Sequence, residues 1–180
     1  TQGYSSAASD VYKRQIKYIR SCQLCALTAQ HYLPQGIEIS QHRMDVMLRQ
    51  LRAGTNFVRL QEDIVCYGKR AVDPRYLEAI DVMLELSGCD PSFLSSERLE
   101  SPFLLRFTGS GEELSYLFTV AWMDTSERIH ATSRMKGERI IWISDRRDSR
   151  GIALPRHHIF AVRQEDGTHR FFGSHEPEKI

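Results

Sequence analysis

The segment from residue 27 to residue 67 constrains the fold most strongly, because two helical patterns and a hairpin pattern follow one another with only short connections. A short helical stretch comes first, and Thr28 is placed to cap its start. In the second stretch apolar residues recur at i, i+3, i+4 and i+7, which predicts one buried stripe on a helix. Ser40 predicts the N-cap of this helix, and Gly54 predicts a left-handed stop at its end. The stripe consists of Met44, Met47, Leu48 and Leu51.

A hairpin pattern follows this second helix. Between residues 57 and 67 the apolar positions alternate on either side of a polar turn, which is typical of two short antiparallel strands. The apolar positions are Val58, Leu60, Ile64 and Cys66, and the turn is Gln61, Glu62 and Asp63. Ahead of the first helical stretch, residues 16–23 read as the remnant of a bracing helix, with Ile16 and Ile19 facing inward.

Helix, turn, helix and hairpin in this order predict a winged helix-turn-helix over residues 16–70, and this fold makes double-stranded DNA the expected partner. A helix in the major groove offers its outer face to base edges, while the hairpin and the helix ends hold phosphates. Arg49 is the best candidate for a bidentate hydrogen-bond contact with guanine. The alternative is a set of solvated polar positions on a module that binds protein. The complete set of candidate DNA-binding residues is Gln41, His42, Arg43, Arg49, Arg52 and Arg59.

The first fifteen residues are expected to be a non-native leader. Residues 10–15 resemble the translation of a transposon-end adapter used in sequencing libraries, which indicates a metagenomic source. Such segments are excluded from reasoning about the fold. The alternative is a disordered polar leader, which the composition also allows.

The formal net charge of the chain is only +1, so the overall composition does not indicate a nucleic-acid-binding protein. The charge is uneven, however, because residues 16–70 carry eight Lys or Arg residues against four Asp or Glu residues. This local excess is where a phosphate backbone is expected to bind. No apolar run reaches the length needed to span a bilayer, and the sequence predicts a cytoplasmic protein with no membrane contact and no cofactor.

The four cysteines are Cys22, Cys25, Cys66 and Cys89. The first two form a Cys-x-x-Cys pair, which has the spacing of two of the four ligands of a structural zinc site. The spacing of the last two is irregular, and all four lie in apolar stretches where a reduced cysteine is an ordinary core residue. We therefore predict no metal site.

Residues 71–180 predict a helix followed by a small mixed sheet with one further packed helix, so the sequence predicts an α+β fold. Asp73 and Pro74 open a strong helix that ends at Gly88, and residues 91–102 read as a polar connection. Strands are expected over 103–107 and 114–122, with a turn at 109–111 between them, and over 139–144, which reads as buried on both faces. Asp124 predicts the start of a helix that runs to about Met135. The runs 158–163 and 168–172 predict a final hairpin.

The order of these elements resembles the core of restriction endonucleases, whose chemistry requires metal-binding carboxylates on adjoining strands. The two central strands read as free of acids, and Glu112, Glu113 and Asp145 lie only at strand ends. The pair His157 and His158 is expected to be exposed at the mouth of a strand rather than to form an acid–base or metal pair. We therefore predict no catalytic residues.

Taken together, the helix–helix–hairpin segment, the helix after Asp73 and the strand at 139–144 resemble winged-helix proteins of conjugative and plasmid-like elements of Gram-positive bacteria. That group is related to replication-relaxation proteins, and its nearest branch is an uncharacterised family. The resemblance extends from Ile16 to about Phe172. It implies a DNA-binding winged helix followed by a small nuclease-like domain without activity. The expected role is an accessory or regulatory DNA-binding protein, with possible partners in a second copy of the chain or a replication or transfer protein; the alternatives are a protein-interaction module and a metal-dependent nuclease.

Overall fold

A computed structural model describes residues 16–54, 58–68, 71–87, 96–99, 103–110, 115–123, 138–144 and 158–173. Over these residues the protein has a mixed α+β fold with three α-helices and two sheets, so the predicted α+β class is confirmed. The predicted adapter-like leader and the predicted helix from Asp124 lie outside the described residues. So do Gly88, Cys89, Glu112, Glu113, Asp145 and His157.

The N-terminal part consists of a small sheet and two helices. In chain order these are β1 (Tyr18–Arg20), α1 (Ser21–Tyr32), α2 (Gln41–Gly54), β2 (Val58–Gln61) and β3 (Ile64–Tyr67). The sheet has the order β1-β3-β2, and both pairings are antiparallel. Both helices therefore lie in the connection between the first strand and the hairpin.

The prediction of a helix over residues 16–23 is wrong, because Tyr18 to Arg20 form an edge strand. Tyr18 pairs with Cys66 and Ile19 with Val65. The pairing extends beyond the strand, since the Tyr67 N–H donates a hydrogen bond to the Lys17 carbonyl at 2.8 Å. Aromatic and β-branched side chains suit such a strand. The predicted burial of Ile16 and Ile19 is confirmed.

The start of α1 also differs from the prediction. The helix begins at Ser21, and the side chain of Gln23 accepts a hydrogen bond from the Arg20 N–H at 3.0 Å. Thr28 is therefore not a cap but an interior residue, and its hydroxyl donates to the Leu24 carbonyl at 2.7 Å. After the helix, a 3₁₀ turn over Leu33–Gln35 ends at Gly36, whose φ of 69° is in the left-handed region that glycine adopts without strain.

Helix α2 has the predicted cap and the predicted buried stripe. The hydroxyl of Ser40 accepts a hydrogen bond from the Arg43 N–H at 3.3 Å. Met44 and Leu48 are buried, and Met47 and Leu51 are half-buried on the same side. The prediction for Gly54 is wrong, because it is the last residue of the helix and does not have a positive φ.

The hairpin after α2 is confirmed. Strands β2 and β3 are joined by a two-residue turn, Glu62 and Asp63, and Glu62 has a φ of 55°. Val58 and Leu60 are half-buried and pack against the core, whereas Tyr67 at the end of β3 is exposed. Phe57 lies outside the described residues.

Helix α3 (Pro74–Ser87) connects the two parts of the protein. Its start is as predicted, because the carboxylate of Asp73 accepts a hydrogen bond from the Arg75 N–H at 3.0 Å. Towards the N-terminal part, the rings of Tyr76 and Tyr18 meet edge to face at 5.5 Å, and the Gln23 amide donates to the Leu77 carbonyl at 2.6 Å. Apolar residues of the helix also belong to the core that includes the larger sheet; the buried ones are Tyr76, Leu77, Ala79, Ile80, Val82 and Met83.

The larger sheet has six strands in the order β4-β5-β6-β7-β8-β9. The two central pairings, β6 with β7 and β7 with β8, are parallel, and the outer pairings are antiparallel. The strands are β4 (Ser96–Arg98), β5 (Phe103–Ser110), β6 (Ser115–Trp122), β7 (Glu138–Ser144), β8 (Ile159–Arg163) and β9 (His169–Gly173).

Two predictions for this sheet need correction, and two are confirmed. Strand β4 lies inside the stretch that was expected to be an irregular connection. The sequence did not predict it, because three residues are too few to show a periodic pattern. Strand β5 continues through Gly109 to Ser110, where a turn was expected. Strand β7 lies between two parallel neighbours and is buried on both faces, as predicted, and β8 and β9 form the predicted hairpin.

One hydrophobic core extends from the N-terminal helices across α3 to the larger sheet. A smaller cluster, which includes Trp142, Phe160 and Val162, lies on the other face of that sheet. Among the described residues, no helix is both long and apolar enough to span a membrane.

Candidate nucleic-acid interface

The outer face of α2 carries five of the six candidate DNA-binding residues, and all five are exposed. At 3.6 residues per turn, His42 and Arg49 lie almost in line along the middle of this face. Arg43 and Arg52 lie on its opposite flanks. Within the described part of the chain, no hydrogen bond or ion pair engages the guanidinium groups of Arg49 and Arg52. The centre and one flank of the helix therefore present positive charge to solvent.

Gln41, the first residue of α2, is held by two neighbours. Its amide nitrogen donates to an Asp45 carboxylate oxygen at 2.8 Å and to the hydroxyl of Ser21 at 3.2 Å. The Asp45 contact joins positions i and i+4 of one helix, and the Ser21 contact joins α2 to the first turn of α1. The amide therefore has a fixed direction at the start of the candidate interface.

Arg43 lies beside the N-terminus of the same helix. Its guanidinium donates to the Glu38 carbonyl at 3.4 Å, across the residues that lead into α2. This contact keeps the side chain close to its own backbone while leaving it exposed.

Arg59, the sixth candidate, lies on the hairpin rather than on the helix. It pairs with Cys66, and side chains alternate along a strand, so it is on the opposite face of the sheet from Leu60. Its guanidinium donates to the carbonyl of Gly68. The structure therefore brings five of the six residues together on α2, whereas Arg59 lies on β2 of the hairpin.

Sequence reasoning missed two residues of this surface, Ser21 and Asp45. Asp45 had a local signal, since a Gln and an acid four residues apart in a helix are neighbours. Ser21 had none, because its contact with Gln41 depends on how two helices pack. Val46, also on the outer face, is half-buried.

The larger sheet contains a buried carboxylate that the sequence analysis overlooked. Glu138 is the first residue of β7, so the expectation that the central strands contain no acid is wrong. One of its carboxylate oxygens accepts hydrogen bonds from the Thr119 hydroxyl at 2.6 Å and from the Arg106 guanidinium at 3.3 Å. Since the carboxylate is paired with Arg106, the cluster is an internal ion pair across three strands. In the described ranges, no group of three or more His, Cys, Asp or Glu side chains is arranged to hold a metal ion.

His158 is buried, not exposed as expected. The indole nitrogen of Trp142 donates a hydrogen bond to its Nδ1 at 3.0 Å. This contact belongs to the interior of the sheet, on the face of the smaller cluster.

The described cysteines have three different environments. Cys22 is exposed, which corrects its assignment to the core, Cys25 is half-buried, and Cys66 is buried. The sulfur of Cys25 lies 3.8 Å from the Ile39 carbonyl. Burial raises the pKa of the thiols of Cys25 and Cys66, which disfavours the reactive thiolate at both positions.

A second ionic cluster joins α3 to the edge of the larger sheet; its His169 and Glu78 are buried, whereas Glu85 and Arg163 are exposed. The two ring nitrogens of His169 face two carboxylates of one helix: Nε2 lies 3.1 Å from Glu78, and Nδ1 lies 3.2 Å from Glu85. The His169 backbone N–H also donates to Glu85 at 2.8 Å, and Arg163 lies 3.7 Å from Glu78. Burial lowers the pKa of His169, but the two carboxylates outweigh it, so the net pKa is raised.

Comparison with known proteins adds no relative: no family model, no curated protein and no solved structure matches this chain.

Proposed function

We propose that residues 16–70 form a winged helix-turn-helix that binds double-stranded DNA, with α2 as the recognition helix. The observation that carries this proposal is the outer face of α2, where Arg49 and Arg52 point to solvent and are unpaired within the described part of the chain. An unpaired arginine on a convex helix suits the major groove, because its planar fork matches the guanine edge and also binds phosphate.

The arrangement of the strands supports the same proposal. The hairpin is held to the strand ahead of the two helices by the pairing of β1 with β3. We propose that it projects beside α2 as the wing. Arg59 on β2 then lies at the side of the wing. There it would bind phosphate by exchanging its hydrogen bond to the Gly68 carbonyl for one to a phosphate oxygen. We propose Arg49 and His42 as base-contacting residues and Arg43, Arg52 and Arg59 as phosphate-contacting residues.

The resemblance of the chain to proteins of conjugative and plasmid-like elements suggests the biological setting. We propose an accessory or regulatory role in the replication or transfer of such an element, in the cytoplasm. The larger sheet would then serve as the surface for a second copy or a partner protein.

The test is binding of the full chain to a random-sequence duplex across a range of salt concentrations. Binding is expected to weaken steeply as salt rises, because cations condensed on the DNA are released. Arg52→Ala is expected to reduce the slope of log affinity against log salt by about one, and Arg49→Ala to cost about 1 to 3 kcal/mol on a selected sequence.

Arg170→Ala is the matched control for this experiment. Arg170 is exposed on β9, the edge strand of the larger sheet, so its replacement removes the same charge from outside residues 16–70. The proposal fails if the wild-type chain binds no duplex at low salt, or if Arg170→Ala has as large an effect as Arg52→Ala.

The second candidate function is a protein-interaction module. It is favoured by the half-buried Val46 in the outer face of α2 and by the internal hydrogen bonds of Gln41 and Arg59. Such a module would bind its partner with weak salt dependence and would not bind duplex DNA, so the same titration distinguishes the two candidates.

A further inference from the structure

We infer that Gln41 is a specificity-determining residue that offers only its carbonyl oxygen to DNA, and therefore selects a base with an amino group in the major groove. This inference rests on the proposed DNA-binding function. It extends that function by assigning one residue a defined hydrogen-bonding role that the residue type by itself does not specify.

The direction of the Gln41 amide follows from the chemistry of its neighbours. An ionised carboxylate only accepts hydrogen bonds, so the group of Gln41 that lies 2.8 Å from Asp45 must be the amide nitrogen. The same nitrogen lies 3.2 Å from the Ser21 hydroxyl. A glutamine amide has two N–H donors, and these two contacts use both of them. Within the described part of the chain, no hydrogen bond uses the Oε1 of Gln41.

A glutamine free to rotate reads adenine with two hydrogen bonds, donating to N7 and accepting from the N6 amino group. With both donors engaged inside the protein, Gln41 cannot make the donor half of that contact. The remaining acceptor can take a hydrogen bond from adenine N6 or from cytosine N4. Gln41 is the first residue of α2, and the N-terminal residues of a recognition helix are those that contact base edges.

Ser21 and Asp45 are thus positioning residues that act through Gln41. Asp45 is on the same helix, four residues along, and Ser21 begins α1, so the position of one helix relative to the other sets the direction of the amide. Releasing both partners would free the N–H donors of Gln41, and one of them could then complete the two-bond contact with adenine.

The experiment is selection of binding sites from a randomised duplex pool by the full-length wild type, Gln41→Ala and the double variant Ser21→Ala/Asp45→Ala. At one position the wild type is expected to prefer adenine or cytosine over guanine or thymine by about 2- to 10-fold, which corresponds to one neutral hydrogen bond. Gln41→Ala is expected to remove this preference. The double variant is expected to favour adenine over cytosine by about 5-fold or more, as a two-bond contact allows.

Glu38→Ala is the matched control, since it removes an exposed acid just ahead of α2 without removing a partner of Gln41. Like the double variant, it should tighten binding through the loss of one negative charge, but it should leave the base preference unchanged. A double variant that binds DNA with the wild-type preference overturns the inference and leaves the proposed function standing. A wild-type chain that binds no duplex overturns both.

Discussion

At the scale of single residues, the protein has several polar groups whose roles are set by distant partners. His169 is the clearest, because its side chain is 1% exposed and both ring nitrogens face carboxylates. A neutral imidazole has one donor and one acceptor nitrogen, so it would turn a lone pair towards one of the two carboxylates. The protonated ring donates to both, and this explains why the net pKa of His169 is raised.

Protonation of His169 is therefore expected to stabilise the folded protein. The ordinary pKa of histidine is 6.5, and the folded value is higher, so the full contribution is present below about pH 6.5 and is lost as pH rises through the folded value. Between pH 5.5 and 9, denaturant titrations should show the wild type losing stability relative to His169→Gln as pH rises.

Glu78→Gln provides the companion measurement for His169. Removal of this buried charge should cost about 1 to 3 kcal/mol near pH 6 and should flatten the pH dependence, because one of the two negative charges that face the protonated ring is lost. A pH-independent difference between wild type and His169→Gln would show that the ring stays neutral in the folded protein.

At the scale of elements, local signals defined helices better than short strands. Ser40 and Asp73 are caps that act within three residues of themselves, and both were predictable. Thr28 has the same chemistry but bonds backwards to Leu24, an alternative that serine and threonine have inside helices. Strands β1 and β4 have three residues each, and their partners lie elsewhere in the chain, so no periodic pattern could identify them.

The cap at the start of α3 provides a test at this scale. Asp73→Ala should destabilise the protein by about 1 kcal/mol, because the Arg75 N–H loses its side-chain acceptor at the start of the helix. Asp73→Ser should retain most of the stability, since serine caps nearly as well. Thermal or denaturant unfolding measures both changes, and equal losses in the two variants would argue against a capping role.

At the scale of the whole molecule, α3 is the helix through which the two sheets share one hydrophobic core. Arg98 of β4 places its guanidinium 5.1 Å from the ring of Tyr18 and 4.8 Å from the ring of Tyr76, so strands from both sheets meet at the start of this helix. Burial raises the pKa of Tyr76 to about 12, so its hydroxyl remains neutral at this junction. The small sheet and the large sheet therefore depend on the same packed residues.

This shared core predicts that the described parts unfold together. Ile80 is fully buried in α3, and Ile80→Ala should cost about 2 to 5 kcal/mol, since it leaves a cavity in the common core. In each protein, amide hydrogen exchange should show β3 and β6 losing protection at one common denaturant concentration, and that concentration should be lower in the variant than in the wild type. Separate losses would mean that the two sheets belong to independent folding units.

By itself the sequence determined the features that depend on neighbours along the chain. These are the α2 stripe, the turn at Glu62 and Asp63, the caps at Ser40 and Asp73, and the β8–β9 hairpin, because helix periodicity and turn chemistry act over a few residues. Only the tertiary structure decided the features that depend on distant partners. It made Tyr18 to Arg20 a strand, paired the buried Glu138 with Arg106, placed His169 between two glutamates and fixed the amide of Gln41 through Ser21. The proposed recognition face depends on both. The sequence places the arginines on α2, whereas the packing of α1 against α2 determines which hydrogen-bonding groups of Gln41 remain for the proposed DNA contact.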